Sequence, residues 1–465
     1  MNIGGLLNIA RSGMAASQAQ IAATAQNVTN AQTPGYSRQR VTLTAGIPLK
    51  LPQGSFGTGV LVYSVDRMRN EMMDTGYRRD TSAAAFSEER RDALGAVEGV
   101  LGEPSDTGLA SNLEQLWSAF SDLSTNPTSS AARGVVRQRA AQVSAQLNQF
   151  GNQIADAQVV ARTRLLESAG RVNTLASQVA EINARIVAAE AEGKQAPDMR
   201  DQRDSKIDEL ASLIGATSYP QADGSVNVNI GGDSLVDGAN FKKVRIQATL
   251  NDPTKLGVAI GENAGGGAPV ETMYQLGGQM AGTLDSYNTI LPSSLTTLDG
   301  VAAALVSATN TAHANGFVGT TPAGNFFDPA RTTARTIRLD ASIVANVANI
   351  AASGISGEPG DNSVAIAMSR LRETPVAING QMASISEGYR TVVASIATSV
   401  NGAQGTATAA RTLATQSDTR RESIKGVSID EEMVNLMKFQ QSYAAAARLV
   451  SVVDEISNTL INLGR

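Results

Sequence analysis

At both ends of the chain, large apolar residues recur every seven positions. Leu7, Met14, Ile21 and Val28 form one such row, with the smaller Ala10, Ser17, Thr24 and Ala31 three residues on. Ile429, Leu436, Tyr443 and Val450 form the other, with Phe439, Ala446, Val453 and Leu460 as companions. Two apolar rows at this spacing make a seam along which one helix packs on another. The pattern therefore predicts a helix at each end, the two pairing as a coiled-coil stalk with the middle of the chain folded out beyond it. The N-terminal segment is further restricted, because between Met1 and Tyr36 the sole charged side chain is Arg11. A helix with one face in water normally carries charges there. This one carries Ser, Thr, Asn and Gln, as if enclosed by protein on several sides. A lone two-helix stalk cannot hide such a surface, so the exposed remainder reads as an interaction site that orders when neighbours enclose it. Repeated in a closed or helical array, the stalks form an inner tube. Packing of each terminal helix on its own globular domain is the competing reading, which the heptads alone leave open.

The first helix is expected to end at Thr33-Pro34-Gly35, since proline excludes helical geometry in the residue before it and Pro-Gly suits a type II turn. Residues 37 to about 65 read as extended, and about 67 to 219 as mostly helical. Leu165, Val172, Val179 and Ile186 mark the clearest helix, and Ile207, Leu210 and Leu213 mark a second that ends at Gly215. A short joint between them predicts an antiparallel hairpin. Alternation in Val226-Asn227-Val228-Asn229-Ile230, and again through Val244, Ile246 and Ala248, predicts a small β domain that closes near the flexible Ala264-Gly265-Gly266-Gly267-Ala268. Helix is expected again from Leu284 to Ala314, then a loop with a short strand over 316–340, then helices from 341 to about 415. Ser428 and Glu431 match a capping box at the start of the last helix. The fold class is mainly α with an inserted small β domain: a terminal stalk (1–45 with 420–465), a long-helix bundle (46–215 with 276–419) and an outer β domain (216–275).

Composition removes most chemistries. The 465 residues contain no cysteine and a single histidine, His313, so thiol catalysis, disulfides and multi-histidine metal sites are excluded. A formal net charge of −5 offers nothing to nucleic acid. No run of 18 apolar residues predicts a membrane span, and Arg11 lies behind the early apolar residues, unlike the charge of a cleaved signal. Aromatics make up only 4%, so Ala, Leu, Val and Ile must fill the cores. Gly232-Asp233-Ser234-Leu235 spells the nucleophile motif of a lipase and esterase superfamily, but the histidine segment Asn310-Thr311-Ala312-His313 lacks the orienting acid. The acids Asp223, Asp233 and Asp237 read as turn residues and not a calcium loop. Gly193-Lys194 lacks the earlier glycine of a phosphate loop. No catalytic, cofactor or metal site is expected. A hydrolase using Ser234 and a cytoplasmic coiled-coil adaptor are the rival functions.

The stretch from Ser12 to Val41, with Asn27-Val28-Thr29-Asn30-Ala31 and Thr33-Pro34-Gly35-Tyr36, closely resembles the N-terminal signature of the flagellar rod, hook and hook-associated proteins. Val427 to Glu432, with Gln440, Gln441, Tyr443, Ala445, Ala446 and Arg448, resembles the same family's C-terminal signature. Tyr36-Ser37-Arg38-Gln39 is similar to the hook-associated members more than to the hook or rod proteins. So is the block through Gly277-Gly278-Gln279, Leu298-Asp299, Asn310, His313, Gly316 and Phe326-Phe327. The resemblance implies a structural, non-enzymatic subunit at the hook–filament junction, exported by the flagellar type III apparatus without a cleaved signal peptide. Its implied partners are copies of itself in a ring, the hook protein, the second hook-associated protein on the filament side, and an export chaperone on the C-terminal helix. No nucleic acid and no membrane insertion are implied. The family-signature residues in this chain are Asn27, Asn30, Gly35, Tyr36, Glu431, Gln440, Tyr443 and Arg448. The assembly seam is Leu7, Met14, Ile21, Val28, Ile429, Leu436, Phe439, Tyr443, Val450, Val453 and Leu460. Another flagellar axial protein, of the hook, the distal rod or the second hook-associated kind, is the alternative within the family.

Overall fold

A computed structural model describes residues 3–51, 54–191, 193, 195–261 and 276–463. The glycine-rich stretch 264–268 and Lys194 lie outside the described residues. The chain opens with α1 (Ile3–Asn30), which ends at the expected turn. There Tyr36 N donates to Thr33 O across Pro34-Gly35, and Gly35 takes φ +82°, a conformation suited to glycine. Four strands follow: β1 (Gln39–Ala45), β2 (Leu49–Leu51), β3 (Gly54–Phe56) and β4 (Val60–Arg67). Antiparallel pairing of β1 with β4 and of β2 with β3 makes one long ribbon that lies against α1. The approach is close at Gly59, where a Cβ would clash with Ser12 Oγ.

Four helices come next: α2 (Glu71–Leu101), α3 (Leu109–Thr125), α4 (Ser130–Glu190) and α5 (Pro197–Ile214). At 61 residues α4 is about 90 Å long, and it serves two cores in turn. Its first half, through Ala161, packs with Trp117, Phe120, Phe326, Phe327 and Tyr389. Its second half, from Leu165, forms with α5 the expected hairpin and packs Val172, Leu175 and Val179 on Ile207, Leu210 and Ile214. The strands β5 (Thr217–Pro220), β6 (Val226–Ile230), β7 (Asp233–Asp237) and β8 (Asn240–Phe241) form an antiparallel meander. A hairpin of β9 (Lys243–Ala248) and β10 (Leu256–Gly261) follows it. Their inward residues Val228, Ile230, Val236, Val244 and Val258 share the second core, so the sheet is seated on the α4–α5 hairpin.

Helix returns at α6 (Gly278–Asp285), six residues before the expected Leu284. It continues through a π turn at Ser286–Ile290 into α7 (Leu291–Ala314). Pro292 has no N–H for the regular ladder, which explains the irregularity at that point. The combined Gly278–Ala314 run contains no 18 consecutive apolar residues, being interrupted by Asp, Asn, Ser and Thr, yet by length and mean hydropathy it is apolar enough to cross a membrane. Its Leu298, Val301, Ala302 and Leu305 are instead buried in the first core.

The expectation of helices from 341 to about 415 is corrected. After the two-residue strands β11 (Phe317–Val318) and β12 (Thr321–Pro322), only α8 (Ala341–Ala345), a 3-10 turn and α9 (Ser363–Arg370) precede the hairpin β13 (Val376–Ile378) and β14 (Gln381–Ala383). Gly354, Gly357, Pro359, Gly360 and Pro375 break the helical pattern, and Asn379-Gly380, both at positive φ, form the hairpin turn. The long helix α10 (Ile385–Lys425) then runs back antiparallel along α2, and α11 (Ile429–Leu463) pairs with α1.

Candidate assembly site: the paired chain ends

The site begins with the sequence contrast between small and large seam residues. In α1 the small row is the buried one: Ala10, Ser17 and Thr24 lie inside, next to Ala16 and Asn27. The large row, Leu7, Met14, Ile21 and Val28, is half-buried. In α11 the buried seam positions are Ala446 and Val453, with Leu436, Phe439, Tyr443 and Val450 half-buried. The seam continues at neither end of α11, since Ile429 and Leu460 are 47% and 52% exposed. The outer face of α11 carries a further apolar row, Val434, Leu449, Val452 and Ile456, each at least 43% exposed. Within one chain the stalk thus buries mainly alanine and hydroxyl residues and leaves most of its large side chains only partly covered.

A polar centre fixes how the two helices meet. Asn27 is 1% exposed and uses its whole amide. Its Oδ1 accepts from Tyr36 OH and from Gln39 N, both at 2.8 Å, and its Nδ2 donates to Gln39 O and to Glu432 Oε2, both at 2.9 Å. Glu432, 2% exposed, also pairs with Arg38 Nη2 at 2.6 Å. Arg38 reaches Glu431 at 3.1 Å, and its backbone N donates to Lys425 O at 2.8 Å. Burial, followed by the nearby Asp198, Asp201 and Glu432, pushes the Tyr36 phenol well above its ordinary range, which keeps it a donor. One buried polar position in a coiled coil selects register, because any slip leaves it unsatisfied. Here one asparagine and one glutamate, 405 positions apart, set the register of α1 on α11.

The signature residues divide accordingly. Asn27, Gly35 and Tyr36 build this centre or the turn beside it. Asn30 caps its own helix end, donating to Gln26 O and accepting from Thr33 Oγ1. Glu431 is exposed on the rim, and its backbone N reaches Ser428 Oγ at 3.5 Å, so one half of the capping box is formed. Its carboxylate turns to Arg38 instead of closing the box. Gln440 and Arg448 point to solvent. Sequence reasoning missed Glu432, which reads as a first-turn acid, and Arg38, its half-buried partner. The signal available was an acid pair at the start of an otherwise apolar seam, opposite an arginine just past the turn.

The tempting motifs elsewhere do not converge. Ser234 Oγ bonds Val236 O within its own strand. His313 is fully buried beside Phe326 in the other core. Its Nε2 accepts from Ala351 N at 2.9 Å, so Nδ1 carries the proton and donates to Gly324 O at 2.8 Å. Burial lowers its pKa, and both nitrogens are committed to backbone. Asn310 similarly clamps Phe326 and Phe327, so this block of the resemblance is a packing device. Asp223 accepts from Ser225 N and Oγ, a turn. Among the described residues no group of three His, Asp or Glu is placed to hold a metal.

Comparison with known proteins matches this geometry. Residues 94–327 match the model of the flagellar hook-associated protein FlgK helical domain, and residues 423–463 that of the flagellar basal body rod FlgEFG protein C-terminal region. The flagellar hook-associated protein 1 of Bacillus subtilis (strain 168) is 31% identical over 98% of this chain and 97% of its own length. That of Escherichia coli (strain K12) is 22% identical over 98% of this chain and 99% of its own length. The solved flagellar hook junction protein FlgK from Burkholderia pseudomallei superposes with a TM-score of 0.64 at 15% identity, covering 76% of this chain and all of that one. The half-finished stalk, its register lock and a full-length match at this identity agree, and the chain belongs to the flagellar hook-associated protein 1 family.

Proposed function

We propose that the chain is a structural subunit of the bacterial flagellum that forms the junction between hook and filament and assembles through its terminal helices. The observation that carries this is the unfinished stalk: paired helices in a fixed register, with large apolar residues left outside. Burying a Leu or Phe contributes roughly 1.5–3 kcal/mol, and the rows Leu7 to Val28 and Ile429 to Leu460 offer several such residues to neighbouring copies. The reading places no catalysis in the chain. It assigns the paired ends (1–45 and 420–465) to assembly, the long-helix bundle to the body, and the strands of 217–261 to its outer side.

In this reading the ring of copies meets the hook protein on one side and the second hook-associated protein on the other. Before delivery the apolar face of α11 needs a cover, which an export chaperone supplies, and export proceeds without a cleaved signal. The test is Leu436→Asp, at a seam position half-buried in the single chain. The variant is expected to keep the helical body, measured by circular dichroism, and to be missing from the junction under immunogold labelling, with filaments not retained. Normal swimming with that variant would refute the assignment.

A further inference from the structure

The stalk and the body are joined covalently at two short places, 68–70 before α2 and 426–428 after α10. Two such joints side by side make a hinge unless something else restrains them. The restraint lies on α5. This helix is fixed in the body by Ile207, Leu210 and Ile214, all buried against α4. Along its other side run Asp198, Asp201, Asp204 and Asp208, spaced three or four residues apart and therefore on one face.

Between them the carboxylates hold several parts of the crossing, with Arg67 shared by two of them. Asp198 Oδ1 accepts from Gln39 Nε2 at 2.8 Å. Asp201 accepts from Ser37 N at 2.8 Å, from Ser37 Oγ at 2.7 Å and from Arg67 Nη1 at 2.7 Å. Asp204 accepts from Arg67 Nη1 at 2.8 Å and pairs with Arg69 at 3.0 Å. Asp208 pairs with Arg78 of α2 and with Arg421, one turn before the end of α10. The ladder thus grips the segment leaving α1, the strand end entering the body, the start of α2 and the end of α10. Asp201, Asp204, Ser37, Arg78 and Arg421 are all buried. Charge-assisted bonds out of water are short and directional, and they hold an angle better than apolar contact.

We propose that α5 is a buckle whose aspartate ladder fixes the angle between stalk and body. Its geometry stands by itself; its consequence, transmission of torque across the junction without bending inside a subunit, rests on the function proposed above. The absence of cysteine allows a direct test on the full chain. Thr44→Cys on the ribbon and Ser177→Cys on α4, both at exposed sites, accept spin labels whose distance distribution reads the angle. The parent is expected to give a narrow distribution, and Asp201→Asn with Asp204→Asn one roughly twofold wider, with helix content unchanged.

A parent as broad as the variant, or a variant that melts earlier with an unchanged width, would overturn the proposal, since the ladder would then only add stability. Should the double variant lose helix content, Ser37→Ala with Gln39→Ala removes only the neutral side-chain donors and leaves the Ser37 backbone N–H and the arginines in place. A smaller widening supports the buckle, and no widening overturns it. These readings are independent of flagellar assembly, so failure of the Leu436→Asp test and failure of the buckle remain distinct.

Discussion

Two helices in this chain carry large apolar residues at the same seven-residue spacing and end differently. In α4, Leu165, Val172, Val179 and Ile186 are all fully buried. In α1, Leu7, Met14, Ile21 and Val28 are all part-exposed. The seam chemistry is alike, so the seam does not decide. The remaining faces do. From Arg162 to Ile186 α4 carries Arg162, Arg164, Glu167, Arg171, Glu181 and Arg185, all exposed, while α1 has only Arg11. A charged back declares that water is the intended neighbour and that the helix is complete within one chain. An uncharged back with a part-covered seam declares that further protein is expected.

The comparison breaks most readily under one substitution made on both helices. Val179→Asp places a carboxylate in a closed core with no cation provided, and is expected to cost about 5 kcal/mol and to leave little folded body. Ile21→Asp on the stalk is expected to cost only about 1 kcal/mol in the isolated chain, since water already reaches that site. Its full effect appears on assembly. Urea titration of the two variants measures both. Equal losses would mean that the stalk is as closed as the body.

A smaller effect probes the register lock. Arg38→Ala leaves the Glu432 carboxylate buried with Asn27 as its remaining partner. Removing one member of such a pair destabilises chiefly through the charge left behind, here by about 2 kcal/mol, because Arg38 itself is partly in water. Amide exchange is expected to quicken in the first turns of α11 and around Asn27 while α4 is unchanged. Faster exchange throughout the chain would mean that the lock belongs to the global core.

How far these regions were legible follows the same division. The heptads of α1, α4 and α11, the Pro34-Gly35 turn and the alternating strands β6 and β9 announce themselves because one periodicity dominates each. Residues 341–384 did not, because there the fold depends on where a nearly structureless chain is pinned. The pins are distant: Ala351 on His313 and Asn362 on Ser124. The polar centre was half legible. Asn27 and Tyr36 stood out through resemblance, whereas Glu432 and Arg38 look like ordinary surface charges until the helices are brought together. The ladder on α5 was not legible at all. A run such as Asp198 to Asp208, interleaved with Arg200 and Arg203, has the composition of a solvated face, and only the crossing of four segments over it takes it out of water.

The body alone is expected to respond to mild acid. His313 is buried neutral with its pKa lowered from the ordinary 6.5 by desolvation. The unfolded chain therefore takes up a proton that the folded one refuses, so this contribution is whole above pH 6.5 and is lost progressively as the pH falls below it. Urea midpoints are expected to decline between about pH 6.5 and 5, and a His313→Gln chain, weaker throughout, is expected to lose that part of the slope. An unchanged slope in the variant would place the titrating group elsewhere.

The smallest expected effect is the finest probe, because it applies the same chemistry to both regions. Ser129 caps α4, with its Oγ accepting from Ala132 N at 3.2 Å, and Ser428 caps α11, accepting from Glu431 N at 3.5 Å. Replacing a serine cap by alanine costs roughly 0.5–2 kcal/mol. Ser129→Ala is expected to cost about 1 kcal/mol and to lower the melting temperature of the whole chain, since α4 runs through both cores and cannot fray without opening them. Ser428→Ala, at a longer bond on a helix held mainly by its partner, is expected to cost about 0.5 kcal/mol and to act locally, as faster exchange at the start of α11 with the melting temperature unmoved. A fall in melting temperature equal to that of Ser129→Ala would show stalk and body unfolding as one unit, and the contrast between a finished and an unfinished heptad helix would then hold for their surfaces but not for their stability.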